Sequence, residues 1–217
     1  MMKSSLALQI ANDAAKQGFN VHIYSFEMSE ESMIRRLFCN KAFIDNADFR
    51  KNPGDYEDKF IEFKEQIRGL PLVITYNVGT TIGDLQQAIS DLPKADVVIV
   101  DYIQAIRKMD FDKTSTINEY ILKFRELAIK KNFAAILLSQ INREATKEDK
   151  RPKMWQLKSS GFLEEHADTV LLTHWDWKYD IESPQDKFEI IIAKQRDGET
   201  GNIFVSICPC AYKLQEN

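Results

Sequence analysis

Five side chains stand where their chemistry could be used. Lys3-Ser4 lies at a helix start. This is the order in which a phosphate-binding loop ends, with the lysine reaching the outer phosphates and the hydroxyl holding magnesium. As an isolated pair it carries nothing, and Met2 occupies the place of that loop's last glycine. Asp101 ends the apolar run Val97 to Val100. A carboxylate at the C-terminal edge of a strand suits a magnesium–water complex, and capping the turn after a buried strand is an equal alternative. Glu27 follows VHIYSF and precedes Ser29. It could polarise an attacking water or be a solvated turn residue. Gln140 follows AAILLS; its amide could sense a phosphate through a hydrogen bond or belong to an ordinary polar loop. Three strand ends and one helix start place all five on one edge of a sheet, and that coincidence weighs more than any member alone.

Basic groups form a second set. Lys194 and Arg196 follow the run IIIA and precede the turn pair Asp197-Gly198. Sequence alone favours solvated hairpin charges over phosphate-directed ones. Between positions 142 and 158 six cations (Arg143, Lys147, Lys150, Arg151, Lys153, Lys158) face three anions (Glu144, Glu148, Asp149), a local positive excess. With Ser159, Ser160 and Gly161 beside it, the segment suits a single-stranded phosphate backbone, although a soluble loop has the same composition. Cys208-Pro209-Cys210 brings two thiols close, without the further Cys or His that a zinc site needs. His166, His174, Trp175 and Trp177 read as structural.

These groups need elements to hold them. Ser4 or Ser5 opens a helix with Leu6, Ile10 and Ala14 on one face, stopped at Gly18. VHIYS (21–25) reads as a strand, and Ser29 with Glu30 and Glu31 starts a second helix. The polar stretch 45–65 is helical in parts. LVITY (72–76) is a strand, Thr81 with Asp84 a capping box, and VVIV a strand buried on both faces. Thr116 with Glu119 caps a further helix, followed by a buried strand AAILLS. The runs 169–173, 188–193 and 203–207 then read as strands without long helices between them. The expected fold is α/β: a mostly parallel central sheet flanked by helices, finishing in antiparallel strands, as one domain over 1–217.

Composition bounds the rest. The chain has 217 residues, 44% hydrophobic and 29% charged, with net charge −4. That excludes a disordered or collagen-like chain and confines nucleic-acid contact to a local patch. Three cysteines argue against a disulfide framework and fit a reducing, cytoplasmic location. No apolar run reaches the ~18 residues that span a bilayer, so no membrane partner is expected. The opening MMKSSLALQIA reads as a helix of the fold rather than a signal peptide, because Gln9, Asn12 and Asp13 interrupt its apolar run.

The strings KSSLALQIA, YSFEMS, VVIVDYIQ, LLSQINR, SSGFLEEHADTVLL and AKQRDGETG, in this order, resemble the C-terminal RecA-like ATPase domain of DnaB-type replicative DNA helicases, bacterial or phage. The resemblance runs nearly end to end. It implies a P-loop ATPase using ATP and Mg2+. Lys3 and Ser4 would be the end of its phosphate loop, Asp101 and Ser4 the magnesium groups, Glu27 the base activating water and Gln140 the sensor. Lys194 and Arg196 would reach a neighbouring subunit's ATP, with Arg196 as its finger. Lys158, Ser159 and Gly161 match the DNA-contact loop, where the family has Arg-Glu-Ser-Gly and this chain Lys-Ser-Ser-Gly. The implied partners are single-stranded DNA, other subunits of a homo-hexameric ring, a primase and a helicase loader. Two departures are the upstream loop glycines and the strand that feeds them, neither of which precedes Lys3 here. The sequence therefore reads as truncated within that loop, and weak ATP hydrolysis by the chain alone is expected. The alternatives are an impaired remnant acting only through subunit contacts and a RecA/RadA-like recombination ATPase.

Overall fold

The structure, a computed structural model, describes residues 2–76, 81–103, 113–141, 151–157 and 160–215. Its first element, α1 (Lys3–Lys16), buries Ala7, Leu8, Ala11 and Ala15 on one face. It ends where Phe19 N–H returns to the Ala14 carbonyl and Gly18 takes φ 88°. That left-handed position is open to glycine without a Cβ clash. Strand β1 (Val21–Ser25) follows, then α2 (Glu30–Ala42), whose Ser29 cap accepts from Ser32 N–H. Next come α3 (Asn46–Lys51), α4 (Glu57–Arg68) and β2 (Leu72–Tyr76). The capping box of Thr81 and Asp84 starts α5 (Ile82–Ser90), ahead of β3 (Val97–Asp101). After α6 (Lys113–Lys131) comes β4 (Ala134–Leu137).

The first sheet is parallel, in the order β2-β1-β3-β4. Alternation along its strands sends side chains to two cores, as a pleat of period two requires. Val21, Ile23 and Ile99 join α1, α2, α3 and α4 on one face, while Tyr24, Val98 and Val100 join α5 and α6 on the other. This two-sided burial is what VVIV predicts. The polar stretch 45–65 contributes through rare aromatics: Phe38 of α2 meets Phe49, Phe60 and Phe63 at ring-centroid distances of 5.0–5.4 Å.

The second sheet is antiparallel, in the order β5-β6-β7-β8. It comprises β5 (Thr169–His174), β6 (Lys187–Gln195), β7 (Gly201–Cys208) and β8 (Lys213–Gln215), preceded by the helix α7 (Ser160–His166). Trp175, Phe188, Val205, Ile207 and Leu214 form its core, against which Met2 and Leu6 pack. Gln9 of α1 ties the two halves: its amide donates to Leu214 O at 2.9 Å and accepts from Leu214 N–H at 2.8 Å. Among the described residues, no helix is long and apolar enough to cross a membrane.

The α/β expectation with antiparallel C-terminal strands holds; several local expectations do not. AAILLS is not buried as a whole. β4 ends its sheet, Ala134 and Ala135 are exposed, and an edge strand has one covered flank only. Thr116 does not precede its helix, since α6 already runs from Lys113. The apolar pattern in the sequence begins only at Ile117, and the polar residues before it carried no phase. α7 and the three-residue β8 went unforeseen, being too short to show a period.

Candidate active site

The C-terminal ends of β1, β3 and β4 and the N-terminus of α1 meet at one edge of the parallel sheet. Ser25 and Asp101 are paired neighbours at the ends of β1 and β3, and Phe26 N–H donates to Asp101 O at 2.7 Å. Past β1 the chain turns sharply because the buried Ser25 hydroxyl donates to Met28 O (2.7 Å) and accepts from Met28 N–H (3.0 Å). Glu27 sits exposed at the apex of that turn, and Ser29 starts α2 directly after it.

Lys3 bridges α1 and the end of β4: its ammonium donates to Ser139 O at 2.6 Å. The contact joins residues 136 positions apart. Burial pushes the Lys3 amine below its ordinary value, while the Asp101 and Glu27 carboxylates pull it back up. Asp101 is 2% exposed. Burial raises its carboxyl above the ordinary value, the Ser4 hydroxyl bond opposes this, Glu27 adds to the rise, and Lys3 and Arg36 oppose it. Its Oδ2 is buried with no hydrogen-bond partner among the described residues. An ionised oxygen left so is costly unless a cation or a water is meant to meet it.

Met2 precedes α1 with φ 61° and ψ 7°. This is the left-handed region, which glycine enters freely and which costs other residues about 1–2 kcal/mol. The backbone thus takes a glycine's conformation where the sequence has methionine.

Lys3, Ser4, Glu27 and Asp101 therefore converge, and Gln140 follows Ser139 at the same sheet edge. Lys194 and Arg196 lie elsewhere, on the second sheet. Lys194 donates to Ala167 O at 2.7 Å, and Arg196 pairs with Asp168 at 2.5 Å with its side chain 42% exposed. Lys158 and Ser159 lie outside the described residues. Gly161 is exposed in α7, and a Cβ there would meet nothing within 4 Å, so packing does not require the glycine.

Arg36 is the residue the sequence reading missed. It projects from α2 close enough to act on Asp101, and its guanidinium lies 4.5 Å above the Tyr212 ring. A cation on the helix that begins beside Glu27 was visible; which of Arg35 and Arg36 turns toward the sheet edge was not.

The arrangement is a cation, a hydroxyl, a buried carboxylate and an exposed carboxylate around a helix N-terminus. These groups suit a polyanion accompanied by a divalent metal. Among similar proteins, the replicative DNA helicase DnaB of Geobacillus stearothermophilus is 29% identical over 212 residues. The replicative DNA helicase DnaC of Bacillus subtilis (strain 168) is 28% identical over 212 residues. Each alignment covers 93% of this chain and 47% of the relative, so the chain spans about half their length. A solved structure of a DnaB-like replicative helicase, described with its interactions with primase, superposes with TM-score 0.91 at 25% identity, over all of this chain and 55% of that one. A KaiC-like protein of Pyrococcus horikoshii OT3, at 17% identity and TM-score 0.64, covers 96% of this chain and 81% of its own and shares the fold. A further solved structure, an isolated ATPase domain, gives TM-score 0.90 at 25% identity, over all of this chain and 81% of that one. The family described as DnaB-like helicase C terminal domain matches residues 1–215, and the chain belongs to that family.

Proposed function

We propose that this chain is the ATP-driven motor part of a replicative DNA helicase, coupling hydrolysis to movement along single-stranded DNA and to duplex unwinding. The observation that carries the reading is the orphaned Oδ2 of Asp101 beside Ser4 and Lys3. A buried carboxylate with one oxygen unmet among the described residues fits a magnesium-bound water, so the residues present fit Mg·ATP. When bound, that group supplies the phosphoanhydride to be cleaved and the metal charge that offsets its oxygens.

The chain's own residues divide the work by position. The Lys3 ammonium exchanges the Ser139 carbonyl for an outer phosphate oxygen. Ser4 and Asp101 hold the metal's shell. Glu27, exposed at the turn apex, accepts the proton of the attacking water. Gln140, next to Ser139, is placed to report the phosphate to the chain beyond β4. Arg36 holds charge balance around Asp101.

Arg196 and Lys194 belong to the second sheet rather than to this edge, and they serve a neighbouring protomer's nucleotide. The exposed Arg196–Asp168 pair supports this, since such pairs are worth about 0–1 kcal/mol and are easily exchanged. Lys158, Ser159 and Gly161 would follow the DNA backbone. A homo-hexameric ring, a primase and a loader are the partners this reading carries, and the cytoplasm is its place.

ATP turnover of Glu27→Gln and Arg196→Ala chains, alone and mixed, with and without a single-stranded oligonucleotide, tests the reading. Each variant alone should lose the weak, DNA-stimulated turnover of the native chain. The mixture should recover part of it, because some interfaces then combine an intact Glu27 with a neighbour's intact Arg196. Absence of DNA-stimulated turnover in the native chain, or of recovery in the mixture, overturns the reading.

A further inference from the structure

The turn between β7 and β8 has a chemistry that the nucleotide site does not use. Cys208 is the last residue of β7 and pairs with Lys213 across the hairpin. Pro209 to Tyr212 form the turn, closed by Tyr212 N–H on Pro209 O and by a left-handed Tyr212 with φ 54°. Within it Cys208 Sγ and Cys210 Sγ lie 3.2 Å apart. Cys210 is exposed and Cys208 half-buried, whereas Cys39 is fully buried.

The turn is held in place from outside. Asn46 N–H donates to Cys210 O at 3.0 Å, and the Asn40 amide donates to Tyr212 O at 2.8 Å. Arg36 lies over the Tyr212 ring, and Lys213 lies over the Phe43 ring at 3.4 Å. These contacts fix the backbone on both sides of the thiols. Pro209 removes a further rotation because its ring sets φ near −65°. Two sulfurs held so need to close by about 1 Å to reach a bonding distance near 2.05 Å. Their preorganisation favours reaction with each other over reaction with a second molecule.

We propose that Cys208-Pro209-Cys210 is a dithiol site that closes reversibly to a disulfide, with a low-molecular-weight disulfide as oxidant. Cys210, the exposed thiol, gives up its proton and its sulfur attacks one sulfur of the oxidant, expelling one small thiolate. Cys208 then gives up its proton and attacks Cys210 Sγ of the mixed disulfide, expelling the second thiolate. The two protons end on the two released thiols. Two protein sulfurs are oxidised and two oxidant sulfurs reduced, so atoms and electrons balance. The hydrogen bond to Cys208, burial and the Asp45 carboxylate all raise the Cys210 thiol, while Lys213 is the cation facing Cys208. The first step is therefore best followed at mildly alkaline pH. A disulfide spanning one intervening residue is strained, and strained disulfides are the readily reduced kind. The site thus stays dithiol under reducing conditions and closes when they fail. The Tyr212–Arg36 and Asn46 contacts tie its state to the junction of α2 and α3. None of this depends on the nucleotide reading.

The native chain is incubated with oxidised glutathione, quenched with acid, alkylated and mapped by mass spectrometry. Two of the three cysteines should lose reactivity, and the peptide holding Cys208 and Cys210 should be lighter by two hydrogens and free of glutathione. Dithiothreitol should restore both thiols. Cys208→Ser should instead stop at a glutathione adduct on Cys210. Three thiols still open to alkylation, a native chain halted at the adduct, or a covalent dimer would each overturn the proposal.

Discussion

Replacing Asp101 by asparagine separates a functional carboxylate from a structural one, because the two predict changes of opposite sign. In the chain alone Asp101 is 2% exposed, its Oδ2 has no partner among the described residues, and burial outweighs the pull of Lys3 and Arg36. Asparagine keeps the oxygen that meets Ser4 and removes the ionised oxygen left unmet. An unsatisfied buried polar group costs about 1–3 kcal/mol, and the amide recovers part of that, so a gain near ~1 kcal/mol is expected. For a chain of this length that raises Tm by about 2–4 °C. The proton gives a second signature. The folded chain holds it more tightly than the unfolded chain, whose carboxyl titrates near its ordinary value of 3.8. Folding stability therefore falls as pH rises from 3.8 through the raised folded value, and the Asp101→Asn chain should lack that fall. With Mg·ATP at a hundredfold excess over its Kd, the native chain should gain about 2.7 kcal/mol, and Asp101→Asn should lose most of it. Thermal unfolding by circular dichroism, with and without Mg·ATP and across pH, reads all three. An Asp101→Asn chain that melts lower than the native chain yet keeps the full Mg·ATP shift would refute the reasoning.

Glu27→Gln should leave Mg·ATP affinity within a few fold and lower turnover by about 10²–10⁴, measured by phosphate release. As pH falls toward the raised Asp101 value, the carboxylate takes up its proton and can no longer face a cation. Mg-dependent nucleotide affinity, followed by calorimetric titration, should therefore fade at a pH above 3.8. Phe38→Ala removes the ring that meets Phe49, Phe60 and Phe63 and should cost about 3–5 kcal/mol in urea unfolding.

What sequence could show depended on whether a signal was periodic or directional. Hydrophobic runs such as VHIYS and VVIV announced their strands, and Ser29 and Thr81 announced their helices, because pleat, period and cap chemistry act over a few residues. Strand ends then located Glu27, Asp101 and Gln140, since parallel strands share one C-terminal edge. The burial of AAILLS was misread because apolar composition does not say whether a strand lies inside a sheet or at its rim. Arg36 was missed because its role depends on the direction of one side chain from α2 toward Asp101. The left-handed backbone at Met2 was hidden for a related reason: methionine does not advertise the conformation that glycine would.

The most direct measurement is a crystal structure of the chain with Mg2+ and a non-hydrolysable ATP analogue. The account predicts that Lys3 Nζ leaves Ser139 O for an outer phosphate oxygen, and that a metal-bound water meets Asp101 Oδ2 while Glu27 faces the terminal phosphate. A nucleotide bound away from the ends of β1 and β3, or one bound there with Lys3 still on Ser139 O and Oδ2 unmet, would contradict it.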